Sequence, residues 1–170
     1  DGGYEGTIYP VSPRGGVLFG IPSYPSLAAL PEAPDLALMA VGGNQVKGVL
    51  EECGRRGVRA VVVLAAGFSE AGAEGAALER EILEIAAARR LTLIGPNCIG
   101  LVSNERSFHA TGFVTLHPPK GRLSFVSQSG SLTAGVVFAC ERQGVGLEKV
   151  ISVGNEAQVD AFDVLDHLRE

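Results

Sequence analysis

The chain has 170 residues, 46% of them apolar and 19% charged, with a formal net charge of −5. That is ample material for a packed core and excludes a disordered or fibrous chain, and Lys and Arg form no run that would neutralise phosphates, so nucleic acid is not an expected partner. No apolar run is long enough to cross a bilayer and no secretory leader opens the chain, so a cytoplasmic protein without a membrane partner is expected.

In chain order, the first feature is a short strand ending in Tyr9-Pro10-Val11-Ser12-Pro13-Arg14-Gly15-Gly16. Three runs then follow that are apolar on both faces, at 36–41, 60–64 and 91–94. Unbroken rather than alternating apolarity marks strands covered on both sides, as in a parallel sheet. Helical patterns separate these runs. Over 44–56, Val46, Val49, Leu50 and Cys53 share a face, and Lys47, Glu51 and Arg55 point away. Over 73–90, Leu78, Ile82, Ile85 and Ala86 form the apolar stripe, with Arg80 and Glu84 opposite. The alternation predicts a doubly wound α/β sheet.

From Ser103 to Lys120 the periodicity fades, and Asn104, Gly112 and Pro118-Pro119 predict a linker or long crossover loop. A second α/β unit begins there, with a strand at 123–126, a helix over 132–142 and a strand at 149–153. A last helix over 160–168 has Asp160 as its N-cap and Phe162, Leu165 and Leu168 as its expected buried side. The expected division is a first unit over 1–103, a linker over 104–120 and a second unit over 121–170, both units partial. Asp1 falls in what reads as the middle of a domain, so a piece of a longer protein is expected. Cys53, Cys98 and Cys140 are widely spaced and odd in number, which suits neither zinc nor a disulfide scaffold.

Several strand ends carry residues suited to chemistry. In Phe125-Val126-Ser127-Gln128-Ser129-Gly130-Ser131-Leu132 a strand runs through hydroxyls and a glycine straight into a helix. Unpaired amides at a helix start suit an anion such as phosphate, with Gly130 permitting close approach and Ser127 and Ser129 donating. A plain serine N-cap fits the same residues. The absence of charge from Leu132 to Cys140 predicts a buried helix front, whose amides need a partner, and this favours the anion site. After the third run, Gly95-Pro96-Asn97-Cys98-Ile99-Gly100 lies where ligands of open α/β sheets bind. Asn97 offers donors and an acceptor there, whereas Cys98 has no base nearby in sequence and reads equally as a packed thiol. Arg14, with Ser12, stands where dinucleotide folds often carry an acid, and an arginine there suits a phosphorylated ribose as in CoA or NADP, although taken alone Arg14 reads better as a surface arginine in a Pro-Gly turn. Ala65-Ala66-Gly67-Phe68-Ser69 is a further small-residue loop on the same edge. His109, His117 and His167 read as loop or solvated histidines.

Taken in order, Tyr-Pro-Val-Ser-Pro-Arg-Gly-Gly at 9–16, Ala-Gly-Phe-Ser-Glu at 66–70, Gly-Pro-Asn-Cys-Ile-Gly at 95–100 and Val-Ser-Gln-Ser-Gly-Ser at 126–131 make a specific set. With them, nearly the whole chain resembles the α subunit of succinyl-CoA synthetase, and more closely the NDP-forming acetate- or acyl-CoA synthetases. The resemblance implies a CoA-binding Rossmann-like sheet, its first strand and glycine-rich loop lying before Asp1, followed by the start of a flavodoxin-like α/β domain. It also implies that Ser12 and Arg14 lie by the phosphorylated ribose of CoA, and that Val41, Gly42, Ala65, Ala66 and Gly67 line its nucleotide. Asn97 and Cys98 would then face the acyl-transfer centre as catalytic residues, and Ser127, Ser129 and Gly130 would hold the phosphoryl group.

The activity so implied is an acid–thiol ligase: carboxylic acid, CoA and nucleoside triphosphate give acyl-CoA, nucleoside diphosphate and phosphate, by way of an acyl phosphate and a phosphohistidine. Coenzyme A is the expected cofactor, with ATP or GTP and Mg2+ bound elsewhere. The expected partners are an ATP-grasp β subunit or fused domain, a small carboxylic acid and further copies in an oligomer. The sequence departs from the family at Val41-Gly42-Gly43, where a Val-Pro pair is common, and at His109, where asparagine is usual. None of its histidines has the carrier context, so this piece is not expected to turn over alone. Two rival readings are a non-catalytic synthetase-like sensor module fused to a protein acetyltransferase and an NADP-dependent Rossmann oxidoreductase.

Overall fold

The computed structural model describes residues 3–112 and 118–169; His117 lies outside them. The segment expected as the first strand contributes one parallel bridge, Val11 to Tyr24. A small antiparallel ribbon follows, formed by Val17–Leu18 (β1) and Ile21–Pro22 (β2). Leu36–Met39 (β3), Gly43–Arg56 (α1), Ala60–Val63 (β4), Ala73–Arg89 (α2) and Thr92–Ile94 (β5) then build a parallel sheet of order β3-β4-β5 with its crossover helices. Every element of this unit coincides with a run or periodic stretch expected from sequence.

The residues explain why these segments fold as they do. Val61, Val62 and Val63 of the central strand are all buried, so both sheet faces are covered, as unbroken apolarity requires. Val46, Leu50 and Cys53 bury one stripe of α1, and Ile82 and Ala86 one stripe of α2. Helix α1 closes on Gly57 in the left-handed region (φ 85°), with Arg55 and Arg56 in its last turn beside the negative helix end.

The second sheet has four strands in the order β7-β6-β9-β8. These are Gly100–Ser103 (β6), Phe108–Thr111 (β7), Lys120–Ser127 (β8) and Leu147–Ser152 (β9). Strand β6 is antiparallel to both β7 and β9, and β8 is parallel to β9. Gly130–Gln143 (α3) joins β8 to β9, and Ala161–His167 (α4) follows. The stretch expected as irregular therefore holds β7, paired with β6 around a turn at Asn104. The buried Asn104 amide fixes that turn, its Nδ2 donating to Pro118 O (3.2 Å) and Leu147 O (2.8 Å). His109 sits in β7, its Nε2 3.2 Å from Asn104 Oδ1, and is a strand residue rather than a loop one.

Hydrophobic burial is unequal between the units. Among the described residues, fourteen buried side chains form the core of the first and four that of the second. At roughly 1.5–3 kcal/mol for each large apolar side chain removed from water, the first unit holds most of the hydrophobic stabilisation. Two expectations are corrected as a consequence. The front of α3 is not buried, because only Thr133 and Val137 face its sheet and Leu132 remains 55% exposed. On α4, Asp160 does cap the helix, its Oδ1 accepting from Asp163 N (2.8 Å). Its expected buried side is nonetheless largely open: Phe162 is 77% exposed and Leu165 47%, and Leu168 is half-buried. No helix among the described residues is long and apolar enough to cross a membrane.

Candidate functional site

The carboxyl ends of β5 and β8 face one another across a cleft of about 600 Å³, lined by Asn97, Cys98, Ile99, Gln128, Ser129 and Gly130, among others. The turn after β5 and the start of α3, far apart in sequence, thus share one site. Their approach is close: a Cβ on Gly130 would lie 2.8 Å from Ile99 Cγ2, so any other residue there would push the Ile99 side chain aside.

The serines of this helix start have local work. Ser129 Oγ accepts from Leu132 N (3.2 Å), a plain N-cap, and Ser127 Oγ accepts from Ser129 N (3.1 Å). Thr133 Oγ1 donates to Ser129 O (2.8 Å). The capping reading therefore holds for Ser129, and the argument from a buried helix end falls. Two features still suit an anion: the amides of Gly130 and Ser131 have no hydrogen-bond partner among the described residues, and the Ser129 hydroxyl, which only accepts, retains its proton for donation, whereas Ser127 Oγ also makes a long bond to Ser129 O (3.5 Å).

Asn97 is held in the left-handed region (φ 56°), its N–H donating to Ala65 O (2.8 Å). Its Nδ2 donates to Asn155 Oδ1 (3.2 Å). The amide orientation follows from the neighbours: Asn155 Nδ2 meets carboxylates, so Asn155 must present its oxygen, and Asn97 its nitrogen, to the shared bond. Cys98 behaves differently. It is 5% exposed, its Sγ donates to Val63 O (3.3 Å), and burial pushes its thiol up to about 11. Cys98 thus stands on the cleft wall with a neutral thiol turned to the backbone of β4, an arrangement that suits packing better than nucleophilic attack.

Of the residues expected to line the coenzyme, Val41 and Gly42 are brought to Ala65, Ala66 and Gly67. A Cβ on the adjoining Gly43 would lie 3.0 Å from Ala66 O, so the start of α1 abuts this loop. Small residues therefore stand on both sides of this approach, at the start of α1 and in the loop after β4. The loop is anchored inward by Phe68, fully buried, and outward by Glu70. Glu70 Oε1 accepts from Gly67 N (2.6 Å) and Phe68 N (3.2 Å). Desolvation raises the Glu70 pKa, but the hydrogen bonds from Asn155, Gly67 and Phe68 outweigh it and hold the carboxyl below the ordinary glutamate range. Ser12 and Arg14 sit on a separate turn, Ser12 Oγ accepting from Arg14 N (3.3 Å), and the Arg14 side chain is exposed. No group of His, Cys, Asp and Glu among the described residues is arranged to hold a metal ion.

Sequence reasoning missed Glu70 and Asn155. Glu70 was visible in the Ala-Gly-Phe-Ser-Glu motif, and Asn155 follows a strand end after a glycine, the same signal that marked Asn97.

Comparisons with known proteins identify the family and fold that carry this site. Residues 120–170 match the succinyl-CoA ligase-like flavodoxin domain. The chain is 45% identical over 165 residues to ADP-forming acetate–CoA ligase I of Archaeoglobus fulgidus, covering 97% of this chain and 24% of that protein. It is 41% identical over 165 residues to the α subunit of ADP-forming acetate–CoA ligase II of Pyrococcus furiosus, covering 97% and 36%. In structure it superposes on the apo form of a dinucleotide-forming acetyl-coenzyme A synthetase 1 from Ca. Korarchaeum cryptofilum with a TM-score of 0.94 at 31% identity, covering 99% of this chain and 36% of that one. The chain thus spans between about a quarter and just over a third of the length of these relatives. Residues 3–104 match the CoA binding domain, and the chain belongs to that family, continued by a succinyl-CoA ligase-like flavodoxin domain.

Proposed function

We propose that this chain is the CoA-binding portion of an NDP-forming acyl-CoA synthetase, an acid–thiol ligase. Residues 1–103 form its coenzyme unit, 104–120 the connection and 121–170 the start of the flavodoxin-like unit. The observation that carries the reading is the cleft in which the Asn97 turn meets the start of α3. It offers an anion site beside a polar turn, on the edge of the sheet that carries the coenzyme loops.

In the reaction, the γ-phosphoryl group of a nucleoside triphosphate passes through a histidine to a carboxylate oxygen and yields an acyl phosphate. The thiol of CoA then attacks the acyl carbon, losing its proton, and phosphate leaves with the carbonyl–oxygen bond electrons. The amides of Gly130 and Ser131, with the hydroxyls of Ser127 and Ser129, stabilise charge on the phosphoryl oxygens, and Asn97 orients the acyl group. Ser12, Arg14, Val41, Gly42 and the Ala65–Gly67 loop bind CoA. The carrier histidine, the nucleotide and its Mg2+ belong to other parts: an ATP-grasp β subunit or fused domain, in an oligomeric cytoplasmic enzyme acting on a small carboxylic acid. The relatives support a ligase over both the sensor and the oxidoreductase. Calorimetric titration of the natural-length protein with CoA and with NADP tests the reading. Saturable binding of CoA with no response to NADP is expected, and the reverse outcome refutes it.

A further inference from the structure

We infer that Asn155 is a positioning residue that ties the coenzyme loop to the acyl-transfer turn, so that thiol and acyl phosphate meet in register. The inference rests on the ligase reading above. Asn155 belongs to the second unit, just beyond β9, yet its bonds fall on both halves of the proposed site. Its N–H donates to Pro96 O (2.9 Å), and its Oδ1 accepts from Asn97 Nδ2 (3.2 Å). Its Nδ2 lies 2.6 Å from Glu70 Oε2, 2.8 Å from Glu79 Oε2 and 3.1 Å from Ser69 Oγ. Glu70 in turn grips the amides of Gly67 and Phe68 through its other oxygen. An unbroken path of hydrogen bonds therefore runs from Asn97 through Asn155 and Glu70 to the loop at Gly67.

The path demands a carboxamide. Only Asn and Gln carry a donating nitrogen and an accepting oxygen on separate atoms of one planar group, and the isosteric aspartate would set a third carboxylate against Glu70 and Glu79. The backbone holding Asn155 is fixed independently of its side chain. Gly154 (φ 61°) lies so near the turn that a Cβ there would meet Pro96 O at 2.1 Å. Ala157 N donates to Gly95 O (3.2 Å), and the Gln158 amide accepts from Leu93 N (2.5 Å) and donates to Leu91 O (3.3 Å) along the outer edge of β5. Changing the Asn155 side chain leaves these contacts in place, so its effect falls on register rather than on docking of the segment.

The test uses the natural-length enzyme with its nucleotide-binding partner, measuring KM for CoA, kcat, and labelled phosphoenzyme formed from nucleoside triphosphate. Asn155→Ala and Asn155→Asp should each raise KM for CoA about tenfold, the loss expected for a bond to a charged group, while phosphoenzyme forms as in wild type. Glu70→Ala should give the same rise, and Asn155→Ala with Glu70→Ala together no more than the larger single effect. An unchanged KM in the Asn155 variants overturns the inference, as does a loss of phosphoenzyme in step with KM, which marks general damage. If the Asn155 variants fail to fold, Glu70→Ala decides, and a wild-type KM there overturns it. A wild-type enzyme that forms no thioester from CoA would instead refute the ligase reading itself.

Discussion

Ser129 does two things at one position, and substitution separates them. As an N-cap its hydroxyl bonds Leu132 N at 3.2 Å, and Ser→Ala at such a site costs about 1 kcal/mol, whereas Ser→Gly costs only a few tenths. As a donor to phosphate the same hydroxyl contributes about 1.5–3 kcal/mol. Because Ser129 is exposed, the lower end applies, or about a tenfold change in affinity. Ser129→Ala should therefore lower both stability and phosphate affinity, whereas Ser129→Gly should keep stability near wild type and lose the same tenfold in affinity. Urea denaturation gives the first quantity; inorganic phosphate titration, with phosphoenzyme yield alongside, gives the second. Ser127→Ala, whose hydroxyl bonds Ser129 N at 3.1 Å, should follow the affinity trend. If Ser129→Gly binds phosphate as tightly as wild type, the serine is a cap and nothing more, and the anion site must rest on backbone amides alone.

Burial pushes the thiols of Cys53 and Cys98 up to about 11, so both are neutral below that pH and stability falls only as pH rises from the ordinary thiol range towards it. At pH 8 the native protein should label first at the half-buried Cys140, read by peptide mass spectrometry; rapid labelling of Cys98 would refute its packed, inward-turned position. Glu70 is held below the ordinary glutamate range, so its anchor on the Gly67 loop is complete at neutral pH and is lost as pH falls through the depressed folded value. Stability measured down the acid limb should decline less steeply in Glu70→Ala than in wild type, and identical limbs would show that the carboxylate anchors nothing.

The parallel sheet, its two helices and the ends of its strands were legible from local pattern alone. Runs such as Ala60-Val61-Val62-Val63 carry their own evidence of burial on both faces, and the Val46, Leu50 and Cys53 stripe states its helical period. Asp160 likewise announced its helix, because a cap is a contact between near neighbours in sequence. Tertiary structure decided whatever depends on a distant partner. Strands β6 and β7 are four residues each and include Gly100, Ser103, His109 and Thr111, so nothing but pairing with β9 and with each other makes them strands. The outer faces of α3 and α4 were apolar in sequence, but whether they are covered depends on which sheet lies against them. The same holds at the site: the hydroxyls, Asn97 and Cys98 could be named from the chain, yet the inward turn of the Cys98 thiol depends on Val63, and the bond from Asn97 on Asn155, 58 residues away. Sequence fixes periodicity and capping because those are short-range; orientation and register are set by contacts that exist only once the two units have folded together.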